Sequence, residues 1–358
     1  MNKTRDRSDI KILTDIQIIQ SPRWCEMTDY LGHLYPSDEL INKLLPIKAG
    51  KTVQPFLELV KLLKYRNRYD VVINGGIRRS GQLFALFRRI LHIKTPKQIM
   101  LEVMLDEEKR TIFWKLKKII QRIIFLSVDI IFVSSTNEVE SYSARFGVSK
   151  EKFRFLPFHT NIAEPRLVNG PGNYILSAGK AGRDYATLAG AIRELNRKII
   201  VVSDKESTKD VGFPDGVAVL YDIPYRSYLS LLYDCCFVVV PLKKFVKSTG
   251  QVVILEAMAL GKPVIATETT GTIDYIQSGV NGILVPVGDS EALKNAIKRV
   301  VNDNNLYKEL AVNALECVKK NHTFDIYVSR VLQAADELMK RPQFCQDIGS
   351  NSRPFTSG

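Results

Sequence analysis

Three groups of residues in this chain have types and spacings suited to chemistry. The first is Ser248-Thr249-Gly250-Gln251, followed by an apolar run and then Glu256. Gly250 opens a predicted helix whose first N–H groups have no partner within the helix, which suits a phosphate or other anion. Glu256 falls inside that largely apolar helix, and a buried carboxylate needs hydrogen-bond partners. It suits a cis-diol, because it can accept two hydrogen bonds at once. The second group lies in SAGKAGRDYATL (177–188), a short loop with Lys180, Arg183 and two glycines between a strand and a helix. Such a loop fits a diphosphate, although Arg183 also reads as a solvated helix-start residue.

The third group lies in the first half. Gly75-Gly76 and Ser80-Gly81 follow a predicted strand, and so does Asp106-Glu107-Glu108. Loops at the C-terminal ends of parallel strands are where α/β folds place ligands. The glycines would let backbone approach a phosphate or an acceptor, or else make a tight turn with Arg78 and Arg79 solvated. Asp106 or Glu107 would serve as catalytic base towards an incoming hydroxyl if the reaction inverts configuration, since displacement by an alcohol needs a base in hydrogen-bond reach. An acidic helix start explains the same three residues without chemistry.

The elements that position these groups alternate. Strands are predicted at 10–19, 70–74, 98–104 and 129–133, with helices at 82–91, 109–126 and 137–146. The composition then changes to LPFHTNIAEPRLVNGPG (156–172), which reads as a linker. Beyond it the alternation resumes, with strands at 173–178, 198–203, 217–221, 236–241, 263–267 and 282–284. Helices are predicted at 184–194, 225–233, 250–260, 271–278, 290–302, 304–320 and 324–340. The expected fold is therefore α/β, with two doubly wound, Rossmann-like domains. The first spans 1–165 and the second 166–323. A last helix follows at 324–340, then a tail at 341–358.

The 358 residues carry 51 Lys or Arg against 38 Asp or Glu, a formal charge of +13, with 45% hydrophobic residues. That hydrophobic content excludes a disordered chain, and the length suits two domains with real cores. Residues 1–165 hold 28 basic and 18 acidic side chains, so +10 of the surplus lies there. An anionic partner is implied: nucleic acid, a phosphorylated ligand or an anionic membrane. No RNA- or DNA-binding module appears, so no nucleic-acid partner is expected. No GxGxxG opens a helix with an acid some 20 residues on, which argues against a nicotinamide enzyme. Five cysteines in no CxxC pair argue against zinc or a disulfide framework. The opening MNKTRDRSDIKIL has no apolar h-region, and no run of 18 apolar residues occurs, so a cytoplasmic protein that does not span a membrane is expected.

LEAMALGKPVIAT (255–267), the Gly271-Thr272-Ile273-Asp274 turn, and Asn281-Gly282-Ile283-Leu284-Val285 with Gly288-Asp289 form an ordered set. This set resembles the nucleotide-sugar-binding domain of GT-B glycosyltransferases, particularly glycosyltransferase family 4, within the glycosyl transferases group 1. The resemblance is weak in the first half and strong from about 129 to 340. It implies two domains facing across a cleft, the first (1–165) binding the acceptor and the second (166–323) the nucleotide sugar, with the last helix crossing back to the first domain. It implies that Lys180 and Arg183 hold the donor diphosphate and that Glu256, second acid of a Glu-x7-Glu motif, receives the ribose hydroxyls. The first acid of that motif would fall at 248, where this chain has Ser248. The Tyr221–Tyr225 loop matches the nucleobase position, with Ile223 and Tyr225 as candidates, Tyr225 reading equally as a core residue. The family's usual histidine in the first domain is absent.

The function implied is transfer of a hexose-type sugar from a nucleotide-diphosphate donor, UDP-linked, to a membrane-associated or lipid-linked glycan. The alternatives are a soluble acceptor, or a sugar-nucleotide-binding homologue without catalysis. No metal and no other cofactor is expected, because Lys180, Arg183 and the helix N-terminus would neutralise the departing diphosphate and no Asp-x-Asp element is present. The helix at 109–126 sets Ile112, Leu116, Ile119, Ile120 and Ile123 at helical spacing, with Lys115, Lys117, Lys118 and Arg122 largely elsewhere. It reads as a surface for anionic lipid, placing the protein on the inner face of the membrane, or as a helix packed on the sheet with a solvated cationic side.

Overall fold

The computed structural model describes residues 10–16, 21–31, 54–76, 78–108, 110–168, 172–244 and 247–340. The expected tail at 341–358 and part of the linker lie outside them. Strands β1 (Ile12–Thr14), β2 (Thr28–Tyr30), β3 (Val71–Gly75), β4 (Lys97–Leu101), β5 (Ile130–Val133) and β6 (Phe153–Phe155) make a parallel sheet in the order β2-β1-β3-β4-β5-β6. Around it run α1 (Pro22–Met27), α2 (Gln54–Tyr65), α3 (Arg79–Ile90), α4 (Ile112–Ser127) and α5 (Thr136–Phe146). A second parallel sheet, in the order β12-β11-β10-β7-β8-β9, joins β7 (Tyr174–Ala178), β8 (Lys198–Ser203), β9 (Val217–Tyr221), β10 (Phe237–Val240), β11 (Val264–Thr267) and β12 (Ile283–Val285). Its helices are α6 (Tyr185–Ile192), α7 (Tyr225–Asp234), α8 (Gln251–Ala259), α9 (Ser290–Asn302) and α10 (Asn304–Asn321). The last helix, α11 (Phe324–Lys340), follows directly.

Parallel strands need long crossovers, so helices end up on both faces and the central strands are mostly apolar. In the first sheet Val71 and Ile73 of β3 join one core with Val328, Val331, Leu332 and Ala335 of α11. Val72 between them points the other way, into a core with Leu59 and Leu62 of α2 and Phe84 of α3. Helix α11 is thus part of the first domain's core. Each fully buried Val or Leu there contributes on the order of 1.5–3 kcal/mol. The second sheet repeats the scheme. Leu176, Val238 and Val240 pack against α8, whereas Ile175, Ile199 and Val239 pack against α6 and α9.

Local chemistry sets the boundaries. Ser135 caps α5, accepting from the Asn137 amide, and Gly147 ends it in the left-handed region at φ 59. Asp289 caps α9 through the Ala292 amide at 2.8 Å. Four elements had no counterpart in the sequence reading: α1, β2, α2 and β6. A three-residue strand is too short for its alternation to be counted.

The helix expected at 271–278 is absent. Thr272 Oγ1 donates to the Thr267 carbonyl at 2.7 Å and accepts from the Thr269 amide at 2.9 Å, so this side chain stabilises a turn in place of a helix. The strand expected at 98–104 stops at Leu101. Glu102 adopts φ 54 and its carboxylate accepts from the Tyr327 hydroxyl of α11 at 2.8 Å. The acidic run 106–108 is not a helix start either. Helix α4 begins at Ile112 and is capped by Thr111.

Candidate functional site

The segments that follow β5, β10 and β11 meet where the two domains face each other, and there the N-terminus of α8 is the principal feature. Gly250 at its N-cap adopts φ 98, and no side chain caps the helix. The residues beside it are buried, yet Ser248 Oγ and Gln251 Nε2 have no hydrogen-bond partner among the described residues. Unsatisfied buried polar groups are costly, and here they flank a helix terminus suited to an anion. Thr249 is 9% exposed beside them. Gly271 packs on this segment so closely that a Cβ would lie 2.4 Å from the Thr249 carbonyl oxygen.

Glu256 lies one turn further along α8 with no exposed surface. Its Oε1 accepts from Tyr225 Oη at 2.7 Å and Asn161 Nδ2 at 2.9 Å, and its Oε2 accepts from Tyr228 Oη at 2.9 Å. Burial first, and then the neighbouring carboxylate, push the Tyr225 and Tyr228 phenols up from their ordinary pKa. Tyr225 is half exposed, so it joins Glu256 to the cleft and is no core residue. Ile223 is half-buried behind it, in a loop where Asp222 takes φ 47.

Lys180 is exposed and paired with Asp222, with Asp204 at 3.9 Å. Arg183 differs from both of its expected forms. Its guanidinium is buried, donating Nε to the Ala178 carbonyl at 2.8 Å and Nη1 to that of Ala181 at 3.2 Å, so the solvated reading is excluded. The N-terminus of α6 is capped by Asp184, whose carboxylate accepts from the Thr187 amide at 3.2 Å. An anionic cap leaves that terminus unsuited to a diphosphate, whereas the N-terminus of α8 carries no side-chain cap.

The expectation for the first-domain glycine loop is corrected. The Gly75 amide donates to Asp15 Oδ1 at 2.9 Å and the Gly76 amide to the Leu101 carbonyl at 2.6 Å, so neither remains for a phosphate. Ser80 and Gly81 are not loop residues. They form the first turn of α3, where the Ser80 hydroxyl donates to Asp15 at 3.4 Å and Gly81 packs on Asn74. Asp15, which the sequence reading passed over, is the hub of this cluster. Burial raises its carboxyl to about 6 against the lowering effect of the Gly75 amide and the Asn74 side chain.

Asp106 and Glu107 are exposed in the irregular segment after β4. Asp106 lies 3.5 Å from Lys247 Nζ of the second domain and so stands at the cleft mouth. Glu108 turns away, towards Lys118 and Arg145.

Other contacts across the cleft were not anticipated. Asp274 accepts from Ser135 Oγ at 2.7 Å, the Thr136 amide at 2.9 Å and Thr136 Oγ1 at 2.7 Å. Tyr275 Oη donates to the Ser134 carbonyl at 2.8 Å. Glu138 Oε1 accepts from the Ser248 amide at 3.1 Å. The sequence does carry one signal, Ser135-x-x-Glu138, but it reads as a local capping box.

Three comparisons bear on the chain. Residues 181–303 match the family model "Glycosyl transferases group 1". The capsular polysaccharide biosynthesis glycosyltransferase CapM of Staphylococcus aureus is 22% identical over 322 residues, covering 81% of this chain and 83% of CapM. Among solved structures, HepE of Anabaena with UDP and glucose superposes with a TM-score of 0.65 at 15% identity, over 92% of this chain and 99% of HepE. Sucrose-phosphate synthase of Thermosynechococcus elongatus gives 0.63 at 19% identity, over 82% and 80%. The family match is at the level of group 1, the coarser of the two levels the resemblance implied. Residues 181–303 thus form a glycosyl transferases group 1 domain, and the chain is a glycosyltransferase of the GT-B fold.

Proposed function

We propose that the protein transfers a hexose-type sugar from a UDP-linked donor to a membrane-associated or lipid-linked glycan in cell-surface polysaccharide synthesis. The carrying observation is the pair of buried groups, Ser248 Oγ and Gln251 Nε2, that have no hydrogen-bond partner among the described residues, at the N-terminus of α8. In this reading they and the first amides of α8 hold the donor diphosphate, joined by Lys180. They neutralise the charge that builds as the glycosidic C–O bond breaks, the main electrostatic demand of the reaction, without calling on a metal ion. Glu256 receives the ribose hydroxyls in place of, or beside, the Tyr225 phenol, and Ile223 packs on the base. Asp106 at the cleft mouth takes the acceptor proton, with Glu107 beside it. HepE, solved with UDP and glucose, supports the donor class, and CapM supports the polysaccharide setting.

The membrane side of the reading rests on α4. Ile112, Phe113, Leu116 and Ile119 are between 57% and 82% exposed, and Lys115 and Lys117 are exposed alongside. Lys117 Nζ lies 4.2 Å over the Trp114 ring. Its packed face is Gln121, Ile124 and Phe125, so the apolar stripe is not the face that meets the sheet. Apolar side chains interleaved with lysines suit the inner, anionic leaflet. No helix among the described residues is long and apolar enough to cross a membrane.

The test is incubation with a panel of nucleotide sugars, with and without an inner-membrane lipid extract as acceptor source. Release of UDP from one UDP-sugar, enhanced by the extract, is the expected result. Binding without turnover would favour the non-catalytic homologue that Ser248, in place of an acid, also fits. Neither binding nor turnover with any donor would overturn the reading.

A further inference from the structure

Glu138 is the third residue of α5 and has no exposed surface. In an ordinary capping box such a glutamate folds back onto the N-cap amide of its own helix. Here Oε2 accepts from the Ser134 amide at 3.0 Å, while Oε1 crosses the cleft to the Ser248 amide, 110 residues away, at 3.1 Å. Tyr142 Oη, 3.4 Å from Oε1, steadies the same carboxylate and itself accepts from the Leu105 amide. Burial raises the Glu138 carboxyl pKa, and the Ser248 and Ser134 amides oppose that rise.

The second domain answers with its own carboxylate. Asp274 reaches back to the start of α5, to Ser135 and Thr136. Three residues before it, Gly271 packs against the Thr249 backbone. The segment 248–249 is therefore contacted by both Glu138 of the first domain and Gly271 of the second. It leads directly into Gly250 and the unpartnered Ser248 Oγ and Gln251 Nε2. The Ser248 hydroxyl is near enough to Glu138 to act on its charge but completes no hydrogen bond there.

We infer that Glu138 is a positioning residue for the donor. From the opposite domain it fixes the Ser248 main chain, so that closing the cleft sets the Ser248–Gln251 cradle in the shape that takes the donor diphosphate. This rests on the donor site proposed above. It adds that the cradle is completed only by the first domain, through a residue that touches no substrate. A well-formed cradle then requires a closed cleft, which is also the state that keeps water from the donor.

Glu138→Gln tests this with little change of volume. The carboxamide must turn an N–H towards one of the amides or hydroxyls that now donate to the carboxylate, so part of the clasp is lost. The titrant is UDP alone, by calorimetry, with donor KM and kcat measured alongside on the UDP-sugar that wild type uses. The expected result is a UDP Kd and donor KM raised about tenfold, with kcat at saturating donor reduced less than threefold. A folded Glu138→Gln protein with UDP affinity within twofold of wild type would overturn the inference and leave the donor site standing. Wild type that binds no UDP and uses no donor would instead overturn the donor site itself.

Hydrogen exchange on the wild-type protein gives a second measurement that needs no variant. UDP should raise protection of 247–252 and 134–138 together. Protection rising at 247–252 alone would contradict the coupling.

Discussion

At the scale of single residues, Glu256 is charged, buried and fully furnished with donors, so its removal has two consequences. Glu256→Gln keeps the volume but leaves one acceptor where Tyr225, Tyr228 and Asn161 now use two oxygens. Stability should fall by about 1–3 kcal/mol in urea unfolding. The Kd for UDP should rise about tenfold by calorimetry, a loss of about 1.4 kcal/mol. Unchanged affinity would remove Glu256 from the ribose role. Asp15 makes a separate prediction. Its folded carboxyl sits at about 6 against an ordinary 3.8 because burial outweighs its hydrogen bonds. A raised acid pKa means the folded state holds the proton more tightly. The stabilisation is therefore complete below about 4 and lost as pH rises through about 6, amounting to about 3 kcal/mol. Urea unfolding at pH 4, 5, 6 and 7 should show that slope in wild type and a flatter one in Asp15→Asn.

These residues were unequally legible. Glu256 stood out because an acid in LEAMALG must be buried on one side and needs partners. Its partners did not, since Asn161 comes from the linker and Tyr228 from another helix. Arg183 was legible as a cation near the site, but its inward turn depends on Gly179, whose φ of 118 lets the loop fold over the guanidinium.

At the scale of elements, α4 shows what periodicity resolves. The spacing of Ile112, Leu116 and Ile119 correctly gives a helix, and left open whether that stripe meets the sheet or the outside. The structure turns it outward and buries Gln121 with Ile124 and Phe125. Because Phe113 and Leu116 are exposed, replacing both with Ser should change folding stability by less than about 0.5 kcal/mol each. The same change should weaken sedimentation with anionic vesicles. Exchanging Lys115, Lys117, Lys118 and Arg122 for Gln should release the protein from those vesicles while leaving UDP binding intact. Equal vesicle binding by both variants would end the membrane assignment. The turn at 271–276 was missed for a different reason. Thr272 satisfies backbone groups through its side chain, and apolar spacing carries no trace of that.

At the scale of the whole molecule, the two α/β domains were legible because each strand and helix repeats a local pattern. Their closure was not, because it depends on pairs such as Asp274 with Thr136 and Glu138 with Ser248, more than 100 residues apart. These contacts predict a movable cleft. Asp274→Ala removes three hydrogen bonds across it and should enlarge the radius of gyration in small-angle scattering without UDP, with UDP restoring part of the compact form. An identical scattering curve would show that the clasp does not hold the domains together. The account's central claim is that the donor diphosphate sits at the N-terminus of α8. A crystal structure with UDP tests it most directly. The account predicts diphosphate oxygens in hydrogen-bond reach of Ser248 Oγ and Gln251 Nε2, with the ribose at Glu256. A nucleotide bound elsewhere, with those two side chains still unpartnered, would contradict it.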